Sequence, residues 1–288
     1  MTDQYAVIGN PIGHSKSPLI HTAFAKQTQQ DISYKAILAP LDAFELTICR
    51  LMDEGYQGVN VTVPFKLQAF LMSDTLSSPA QSANAVNTLL LNKHNIIGHN
   101  TDGIGLVNDI SNNLGINLQG KRILLLGAGG AAQGVLLPLF NTNPASILVA
   151  NRNGDKAKSI VEKLSLEKLG LEKLGLEKLN AANVTSCDFS QLQNAALTGS
   201  FDVIINATST GLHDDRLLIP DSIFNVHDCL AYDMMYGVET QFMAQARCLG
   251  AQVVDGLGML VEQAAEAFYL WRNVRPETVP VIAQLRQT

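Results

Sequence analysis

The sequence has little that could hold a metal ion or form a disulfide framework. Its four cysteines include no CxxC pair, and its six histidines show no metal-ligand spacing such as HExxH. We therefore expect no metal site. Scattered cysteines in a chain of this size are typical of reduced, mostly buried thiols, and this predicts a cytoplasmic protein.

Long apolar runs and strong positive charge are also missing. No stretch offers the ~18 consecutive apolar residues of a membrane-spanning helix, and the first residues, MTDQYAVIG, lack the charged and apolar regions of a signal peptide. The formal net charge of −6 and the lack of a basic run argue against nucleic acid as a partner. We expect a small-molecule ligand, no membrane and no nucleic acid, in a monomer or a homodimer.

Short β-branched runs alternate with amphipathic stretches, which is the pattern of an α/β protein with a parallel sheet. Hydrophobic residues make up 47% of the 288 residues, so a sizeable core can form. In the first half, strands are predicted at YAVIG, YKAIL and GVNVTV, followed by a hairpin that turns at residues 93–95. In the second half, strands are predicted at RILLL, SILVANR, FDVIINAT, CLAYDMM and AQVVDG.

Two domains are predicted. The Gly- and Asn-rich segment LGINLQGKR connects the halves, and the last helix, GMLVEQAAEAFYLWR, could return to the first domain. This places a substrate domain at residues 1–103 plus 256–288 and a dinucleotide domain at 104–255. Residues 162–179 repeat EKL at a five-residue period, which spreads the leucines around a helix. We interpret this repeat as an insertion that lengthens a helix end or surface loop, with no chemistry of its own.

A glycine-rich turn follows the strand RILLL. Gly127, Gly129 and Ala132 match G-x-G-x-x-G/A between an apolar strand and a helix. Glycines at these positions let backbone N–H groups approach a pyrophosphate, which then lies at the helix N-terminus. The context therefore predicts a Rossmann-type dinucleotide-binding domain.

The residues after the next predicted strand bear on the choice of dinucleotide. NAD enzymes usually carry Asp or Glu there, to bind the ribose hydroxyls. This chain has Asn151 and Arg152 instead, with Lys156 one turn further on. Because a guanidinium pairs with a 2′-phosphate that a carboxylate would repel, NADP is predicted as the cofactor.

Polar residues also stand at the ends of the predicted strands in the first half, where open α/β sheets bind ligands. Near the N-terminus, HSKSP places Ser15 and Ser17 at the start of a helix, with Ser17 as its expected N-cap before Pro18, and such a helix end attracts anions. The other polar residues are Asn60, Thr62, Lys66, Asn87, Thr101 and Asp102. Each has an ordinary structural explanation alone; Asp102, for example, could cap a helix that begins at Gly103.

Together these segments resemble the shikimate dehydrogenase family. The matching motifs are GNPIGHSKSPLIHTAF, GVNVTVPFK, ANAVNTL, NTDG, GAGGAA, NATSTG, YDMMYG and DGLGMLVEQAAEAF, in this order along the chain. The resemblance implies two α/β domains with a cleft between them. It also implies the NADPH-dependent, reversible reduction of 3-dehydroshikimate to shikimate, a step of chorismate and aromatic amino-acid biosynthesis.

The resemblance also implies roles for individual residues. Lys66 and Asp102 match the family's catalytic pair; the lysine either transfers a proton or mainly stabilises charge, and sequence does not decide between these. Asn60 is interpreted as a supporting residue. The implied substrate-binding residues are Ser15, Ser17, Thr62, Asn87, Tyr236 and Gln263. The implied cofactor-binding residues are Gly127, Ala128, Gly129, Gly130, Ala131, Asn151, Arg152, Asn153, Lys156, Thr208, Met234 and Gly256.

Two departures from the family pattern concern the cofactor. Asn153 stands where the family usually has threonine, and Lys156 where it usually has a second arginine, so a bidentate phosphate contact is lost there. Three other interpretations stay open: a quinate/shikimate dehydrogenase that uses NAD or NADP, a methylenetetrahydrofolate dehydrogenase, and a non-catalytic NADP-dependent ligand sensor. The motifs HSKSP and NTDG disfavour the folate enzyme, and the presence of both Lys66 and Asp102 disfavours the sensor.

Overall fold

The computed structural model describes residues 2–93, 95–173, 183–197, 201–208, 217–224 and 228–287. The chain forms two compact units, Met1–Asp109 with Gly258–Thr288, and Ile110–Leu257. These divisions lie a few residues from the predicted ones. A break after residue 103 would cut the first turn of a helix that runs from Asp102 to Asn108, and the structure keeps this helix whole in the first unit.

The strands and helices alternate along most of the chain. The strands are β1 (Asp3–Gly9), β2 (Ile32–Leu38), β3 (Tyr56–Val61), β4 (Thr75–Leu76), β5 (Thr88–Asn92), β6 (Asn95–His99), β7 (Arg122–Leu126), β8 (Ser146–Asn151), β9 (Asn183–Asp188), β10 (Val203–Asn206), β11 (Leu230–Asp233) and β12 (Gln252–Val254). The helices are α1 (Ser17–Thr28), α2 (Phe44–Asp53), α3 (Lys66–Met72), α4 (Ser78–Ala83), α5 (Asp102–Asn108), α6 (Gly130–Asn141), α7 (Gly154–Lys173), α8 (Leu192–Leu197), α9 (Gln241–Cys248), α10 (Leu257–Arg272) and α11 (Val279–Leu285).

The first unit is built on a mixed sheet with the strand order β2-β1-β3-β5-β6-β4. Strand β1 pairs in parallel with β2 and β3, whereas β5 pairs antiparallel with both β3 and β6. Asn92 lies opposite Asn95 across β5 and β6, which confirms the predicted hairpin. The antiparallel β5 brings its N-terminal end to the edge where β3 ends, so residues that precede β5 lie beside residues that follow β3.

Apolar side chains at helical spacing hold α2 on this sheet. Phe44, Ile48 and Leu51 recur at intervals of four and three residues, and all three are buried against the sheet's apolar residues. The Phe44 ring stacks on Phe65, in the turn before α3, with centroids 4.9 Å apart. Burial of each such side chain stabilises the fold by about 1.5–3 kcal/mol. This packing anchors the turn from which Lys66 extends.

The second unit is built on a parallel sheet with the strand order β12-β11-β10-β7-β8-β9. The chain runs outward from β7 through β8 to β9, then returns to β10 on the other side of β7. In such sheets a dinucleotide binds at the carboxyl ends of the strands where the order reverses. The predicted Rossmann-type fold is confirmed, although β9 and α8 were not predicted because their short, polar sequences carry no clear period.

The repeat segment is only partly described. Helix α7 runs to Lys173 and includes the first part of the EKL repeat, in agreement with the interpretation that the repeat lengthens a helix. Residues 174–179 of the repeat lie outside the described residues. Over the described parts of the chain, no helix is both long enough and apolar enough to cross a membrane.

Candidate active site

A lysine and an aspartate form a close ion pair in the first unit. Lys66 begins α3 after β3, and Asp102 begins α5 after β6. Lys66 Nζ donates to Asp102 Oδ2 at 2.5 Å, with side chains that are 31% and 14% exposed. Asp102 does not act as a helix cap, because the N-cap of α5 is Thr101. The pair is therefore largely sheltered, while the Lys66 side chain keeps partial access to solvent.

Asn87 fixes the other oxygen of the carboxylate. Its Nδ2 donates to Asp102 Oδ1 at 2.8 Å and to Thr101 Oγ1 at 3.0 Å, while its Oδ1 accepts from the Thr101 backbone N at 2.9 Å. The Asp102 backbone N in turn donates to Asn100 Oδ1 at 3.0 Å. Both carboxylate oxygens and the backbone of Asp102 thus have fixed partners, which orients Lys66 as well.

Gln263 of α10 joins the same group from a distant part of the sequence. Its Oε1 accepts from Asn87 Nδ2 and from Thr101 Oγ1, each at 3.4 Å. A Cβ on Gly105 would lie 2.8 Å from Gln263 Cβ, so glycine is what allows α5 to pack this closely on α10. The structure therefore brings together the side chains of Lys66, Asp102, Asn87 and Gln263.

The two serines and Thr62 lie in segments that follow the carboxyl ends of two neighbouring strands of the first sheet. Ser15 and Ser17 follow β1, and Thr62 follows β3, which pairs with β1. The Ser17 backbone N donates to Ser15 Oγ at 3.3 Å. A Cβ on Gly9, the last residue of β1, would lie 2.5 Å from Thr62 Cγ2. Because β1 and β3 pair in parallel, the segments that carry the two serines and Thr62 both follow the carboxyl ends of these strands.

The prediction that Ser17 is the N-cap of α1 is wrong. Lys16 is the N-cap, with helical backbone angles (φ −82°, ψ −7°), and Ser17 is the first helical residue. The reason is that the Ile20 backbone N donates to Lys16 O at 3.1 Å, which starts the helix one residue earlier. No side chain caps this helix, so the Ser17 hydroxyl is not committed to a cap.

A buried aromatic layer lies behind Ser17. The His21 imidazole is fully buried and stacks on the Tyr34 ring at 4.1 Å between centroids. Burial lowers the pKa of His21 to about 3, while the Asn60 side chain acts in the opposite direction. Burial also raises the pKa of Tyr34 well above its ordinary value, against the effect of the Ser17 side chain. Both rings are therefore neutral at physiological pH.

The buried imidazole predicts a loss of stability in acid. In the unfolded chain a histidine binds a proton below about pH 6.5, but His21 in the folded chain does so only below about pH 3. Between these values the unfolded state binds more protons, so the free energy of unfolding falls as the pH falls. The contribution of His21 is at most about 1.4 kcal/mol per pH unit. Urea denaturation at a series of pH values measures it.

The control for this expectation is His21→Phe, which keeps an aromatic ring and removes the titrating group. Wild type should lose stability more steeply than this variant as the pH falls below about 6.5. Above that pH, the difference between the two proteins should be constant. Parallel stability curves throughout the acid range would contradict a buried, neutral His21.

The glycine-rich turn of the second unit provides room for backbone groups to meet a ligand. Gly127 has φ +109°, and a Cβ there would lie 3.0 Å from Ala207 O. A Cβ on Gly129 or Gly130 would meet nothing within 4 Å, so these residues border open space before α6. A tight glycine turn beside open space, followed by a helix N-terminus, fits the pyrophosphate of a dinucleotide.

The predicted NADP-selecting residues lie at the end of β8 and the start of α7. Asn153 Oδ1 accepts from the backbone N of Asp155 at 2.9 Å and of Lys156 at 3.3 Å, so Asn153 caps α7. Asn151 Nδ2 donates to Asn153 O at 2.9 Å. Arg152 and Lys156 are exposed. Asn153, where the family usually has threonine, therefore acts as a helix cap. The exposed Arg152 and Lys156 side chains are accessible to a phosphate.

A buried carboxylate organises the ends of β10 and β11. Asp233 Oδ2 accepts from Thr240 Oγ1 at 2.6 Å and from Asn206 Nδ2 at 3.0 Å. Asn206 Oδ1 in turn accepts from the Thr208 backbone N at 3.1 Å. Burial raises the pKa of Asp233, although these hydrogen bonds oppose the shift. This network places Thr208, a predicted cofactor residue, at the carboxyl end of β10.

The remaining predicted residues of the second unit follow β11 and β12. A Cβ on Gly256 would lie 2.3 Å from Met234 O, so only glycine fits there. Tyr236, a predicted substrate-binding residue, also belongs to this unit, and burial raises the pKa of its phenol. Within the described residues, no cluster of three or more His, Cys, Asp or Glu side chains could hold a metal ion.

Sequence reasoning did not select Thr88, Tyr34 or His21 as candidates. Thr88 lies opposite Asn60 in the β3–β5 pairing, so the two side chains point to the same face of the sheet. A polar residue next to Asn87 in an otherwise apolar strand was the available signal. For Tyr34 and His21 there was no comparable signal, because aromatic residues in a strand and a helix are ordinary core residues.

Comparisons with known proteins match this chain to a single family over nearly its full length. Residues 7–89 match a family model described as the shikimate dehydrogenase substrate binding domain. Residues 109–213 match the model shikimate / quinate 5-dehydrogenase, and residues 256–286 match the shikimate 5'-dehydrogenase C-terminal domain. A curated relative from Methylobacillus flagellatus, named shikimate dehydrogenase (NADP(+)), is 52% identical over 99% of this chain and 99% of its own.

Two solved structures are similar over nearly the full length. An Ael1 enzyme from Pseudomonas putida is 42% identical and superposes with a TM-score of 0.89, covering 99% of this chain and 98% of its own. A shikimate 5-dehydrogenase from Thermus thermophilus, solved in complex with NADP(H) and shikimate, is 28% identical. Its TM-score is 0.82, and the match covers 99% of each chain.

Proposed function

The chain belongs to the shikimate dehydrogenase family, and on that premise we propose that it catalyses the NADP-dependent, reversible reduction of 3-dehydroshikimate to shikimate. The observation that carries this proposal is the Lys66–Asp102 pair, 2.5 Å apart, with Asn87 bound to the same carboxylate. The protein is an oxidoreductase that acts on a CH–OH group, and its reaction serves chorismate and aromatic amino-acid biosynthesis.

Reduction of a ketone is favoured by a cation close to the carbonyl oxygen, where negative charge develops. NADPH, when bound, supplies the hydride that reduces the C3 carbonyl, and negative charge develops on the oxygen of that group. The Lys66 ammonium stabilises this charge and is the group that can deliver the proton. Asp102 orients the ammonium through Oδ2 and is assigned the adjacent C4 hydroxyl of the substrate.

Hydroxyl and amide groups hold the rest of the substrate. Ser15 and Ser17 are assigned the carboxylate, since they lie together at the start of α1 and neither has an acidic neighbour in its loop. Thr62, Asn87 and Gln263 are assigned the ring hydroxyls, and the link between Asn87 and Gln263 at 3.4 Å supports their common task. Small polar groups of this kind fix the orientation of a polyhydroxylated ring through directed hydrogen bonds.

We assign binding of the cofactor to the second unit. The turn at Gly127–Gly130 and the N-terminus of α6 would hold the pyrophosphate, and Arg152 with Lys156 would hold the 2′-phosphate. Thr208, Met234 and Gly256, at the ends of β10, β11 and β12, complete the proposed site. Exposed cations beside a capped helix N-terminus are suited to bind an additional phosphate.

A substrate and cofactor matrix tests the proposed function. Initial rates of nicotinamide reduction are measured with shikimate and with quinate, each offered NADP and NAD in turn. We expect the highest kcat/KM with shikimate and NADP. Comparable values with quinate or NAD would instead indicate a broader quinate/shikimate dehydrogenase. Absence of turnover with every pair, by folded protein that binds NADP, would favour the non-catalytic sensor.

We further propose that the protein works in the cytoplasm, as a monomer or a homodimer. All four cysteines, Cys49, Cys187, Cys229 and Cys248, are free thiols, which suits a reducing compartment. The expectation that they are mostly buried is wrong, because only Cys229 is buried, whereas Cys49 and Cys248 are exposed. Burial raises the pKa of Cys229 to about 12 and of Cys187 to about 11, so both stay protonated and unreactive. Gel filtration with light scattering distinguishes the two oligomeric states.

A further inference from the structure

A continuous series of side-chain hydrogen bonds leads from the core of the first unit to the Asp102 carboxylate. The Tyr34 hydroxyl donates to Asn60 Oδ1 at 2.7 Å, and Asn60 Nδ2 donates to Thr88 Oγ1 at 3.0 Å. The Thr88 hydroxyl donates to Asn87 Oδ1 at 3.0 Å, and Asn87 Nδ2 donates to Asp102 Oδ1 at 2.8 Å. We call Tyr34, Asn60, Thr88 and Asn87 the buried relay.

Every bond in the buried relay runs in the same direction. The Tyr34 phenol keeps its single proton, because burial raises its pKa well above the ordinary value, and it donates that proton to the Asn60 oxygen. This turns the Asn60 NH₂ group toward Thr88, whose only proton is then available for Asn87. The Asn87 NH₂ group is thereby turned toward Asp102. A reversed Asn87 amide would place an oxygen against the carboxylate.

The strand pairing explains why these residues meet. Asn60 of β3 lies opposite Thr88 of β5, so their side chains stand side by side on one face of the sheet. Asn60 Nδ2 also donates to the Asn87 backbone O at 3.2 Å, which ties the relay to the residue that binds Asp102. All four side chains are buried, and water therefore cannot replace a lost partner without cost.

We propose that Thr88 and Tyr34 are positioning residues for the reaction, which hold Asp102, and through it Lys66, in the reactive geometry by way of Asn87. This proposal rests on the proposed function of the same site. Neither residue touches the ion pair, and the effect is carried by the amides of Asn60 and Asn87. Thr101 also donates to Asn87 Oδ1, through its backbone N and its hydroxyl. The relay therefore contributes only part of what orients the Asn87 amide.

The test compares variants that change one hydroxyl at constant shape. Thr88→Val removes the hydroxyl of the relay and keeps the volume, whereas Thr88→Ser keeps the hydroxyl. Tyr34→Phe removes the first donor. The matched control is Tyr5→Phe, since Tyr5 is also a buried tyrosine of the same sheet, but its hydroxyl accepts from Arg272 and has no link to Asp102. Thermal unfolding confirms that each variant folds.

Three quantities are measured in shikimate oxidation with NADP: kcat, KM and the primary deuterium isotope effect with shikimate deuterated at the reacting carbon. Thr88→Val and Tyr34→Phe should each lower kcat about 10-fold, the scale of one hydrogen bond lost in a buried network. Little change in KM is expected for Thr88→Val, whereas the KM of Tyr34→Phe does not test the relay, because Tyr34 also interacts with the Ser17 side chain. The isotope effects of both variants should rise, because a misplaced Lys66 slows the chemical step. Thr88→Ser should recover most of kcat, and Tyr5→Phe should match wild type.

The outcomes separate this inference from the proposed function. If wild type turns over shikimate and Thr88→Val or Tyr34→Phe has the same kcat and isotope effect, the positioning role is wrong. If Thr88→Ser is as slow as Thr88→Val, the loss arises from packing and the inference is also overturned. If folded wild type does not oxidise shikimate at all, the proposed function fails, and the inference falls with it.

Discussion

Replacement of Lys66 by alanine is expected to lower kcat by roughly 10²–10⁴-fold, the range for loss of acid–base and electrostatic stabilisation by one side chain. The reason is geometric. Lys66 Nζ is the cation held by Asp102 at 2.5 Å, and its side chain is 31% exposed, so it can reach a bound carbonyl oxygen. Without the Lys66 ammonium, the Lys66–Asp102 pair has no cation to stabilise the negative charge that develops on this oxygen.

The measurement is steady-state turnover of shikimate with NADP, together with the dissociation constant for NADP from fluorescence. Because Lys66 belongs to the first unit and the glycine turn to the second, NADP binding should be unchanged. Lys26→Ala is the matched control, since Lys26 is an exposed lysine on α1 of the same unit. A kcat for Lys66→Ala within about threefold of wild type would rule out the assigned role.

The second large effect is expected from Arg152→Glu, which should lower kcat/KM for NADP on the order of 10²–10³-fold. A charge-assisted pair with the 2′-phosphate is lost, and a carboxylate is placed against that phosphate. Arg152 is exposed next to the Asn153 cap, so the substitution should not disturb the helix start. Values of kcat/KM for NADP and NAD, with saturating shikimate, report the change.

NAD provides the internal reference for this variant, because it lacks the phosphate that Arg152 is assigned to hold. We expect kcat/KM for NAD to stay the same or to rise, since NAD enzymes usually carry an acid in this region. Lys158→Glu is the matched control; Lys158 is an exposed residue of α7 that pairs with Glu162 at 3.8 Å. An equal loss of kcat/KM for NADP and NAD would show that Arg152 does not bind the 2′-phosphate.

Much of the cofactor region could be predicted from local sequence. A glycine turn between an apolar strand and a helix is a short, contiguous signal, because every residue that shapes it lies within a few positions of Gly127. The hairpin of β5 and β6 could also be predicted from the sequence, since its apolar alternation and its turn are local features. Helix starts were less reliable: α1 begins one residue before the expected point, because Lys16 O, rather than a serine side chain, makes the first turn.

The proposed catalytic residues could be identified from the sequence only by resemblance. Lys66, Asn87, Asp102 and Gln263 are spread over most of the chain, and each has an ordinary structural explanation by itself. Nothing in the local pattern shows that Gly105 lets α5 approach α10 closely enough for Gln263 to reach Asn87. Convergence of this kind depends on strand order and helix packing, which arise from contacts distant in sequence.

By itself, then, the sequence determined the α/β class, the dinucleotide turn, the preference for NADP and, through its motifs, the family, because these depend on residue type and short spacing. Only the tertiary structure decided that Asp102 binds Lys66 and Asn87 instead of capping its helix, and that a relay from Tyr34 through Thr88 reaches it. The physical reason is that a hydrogen bond needs two groups within about 3 Å. The pairing of β5 with β3 brings Asn60 next to Thr88, and no local sequence pattern encodes that pairing.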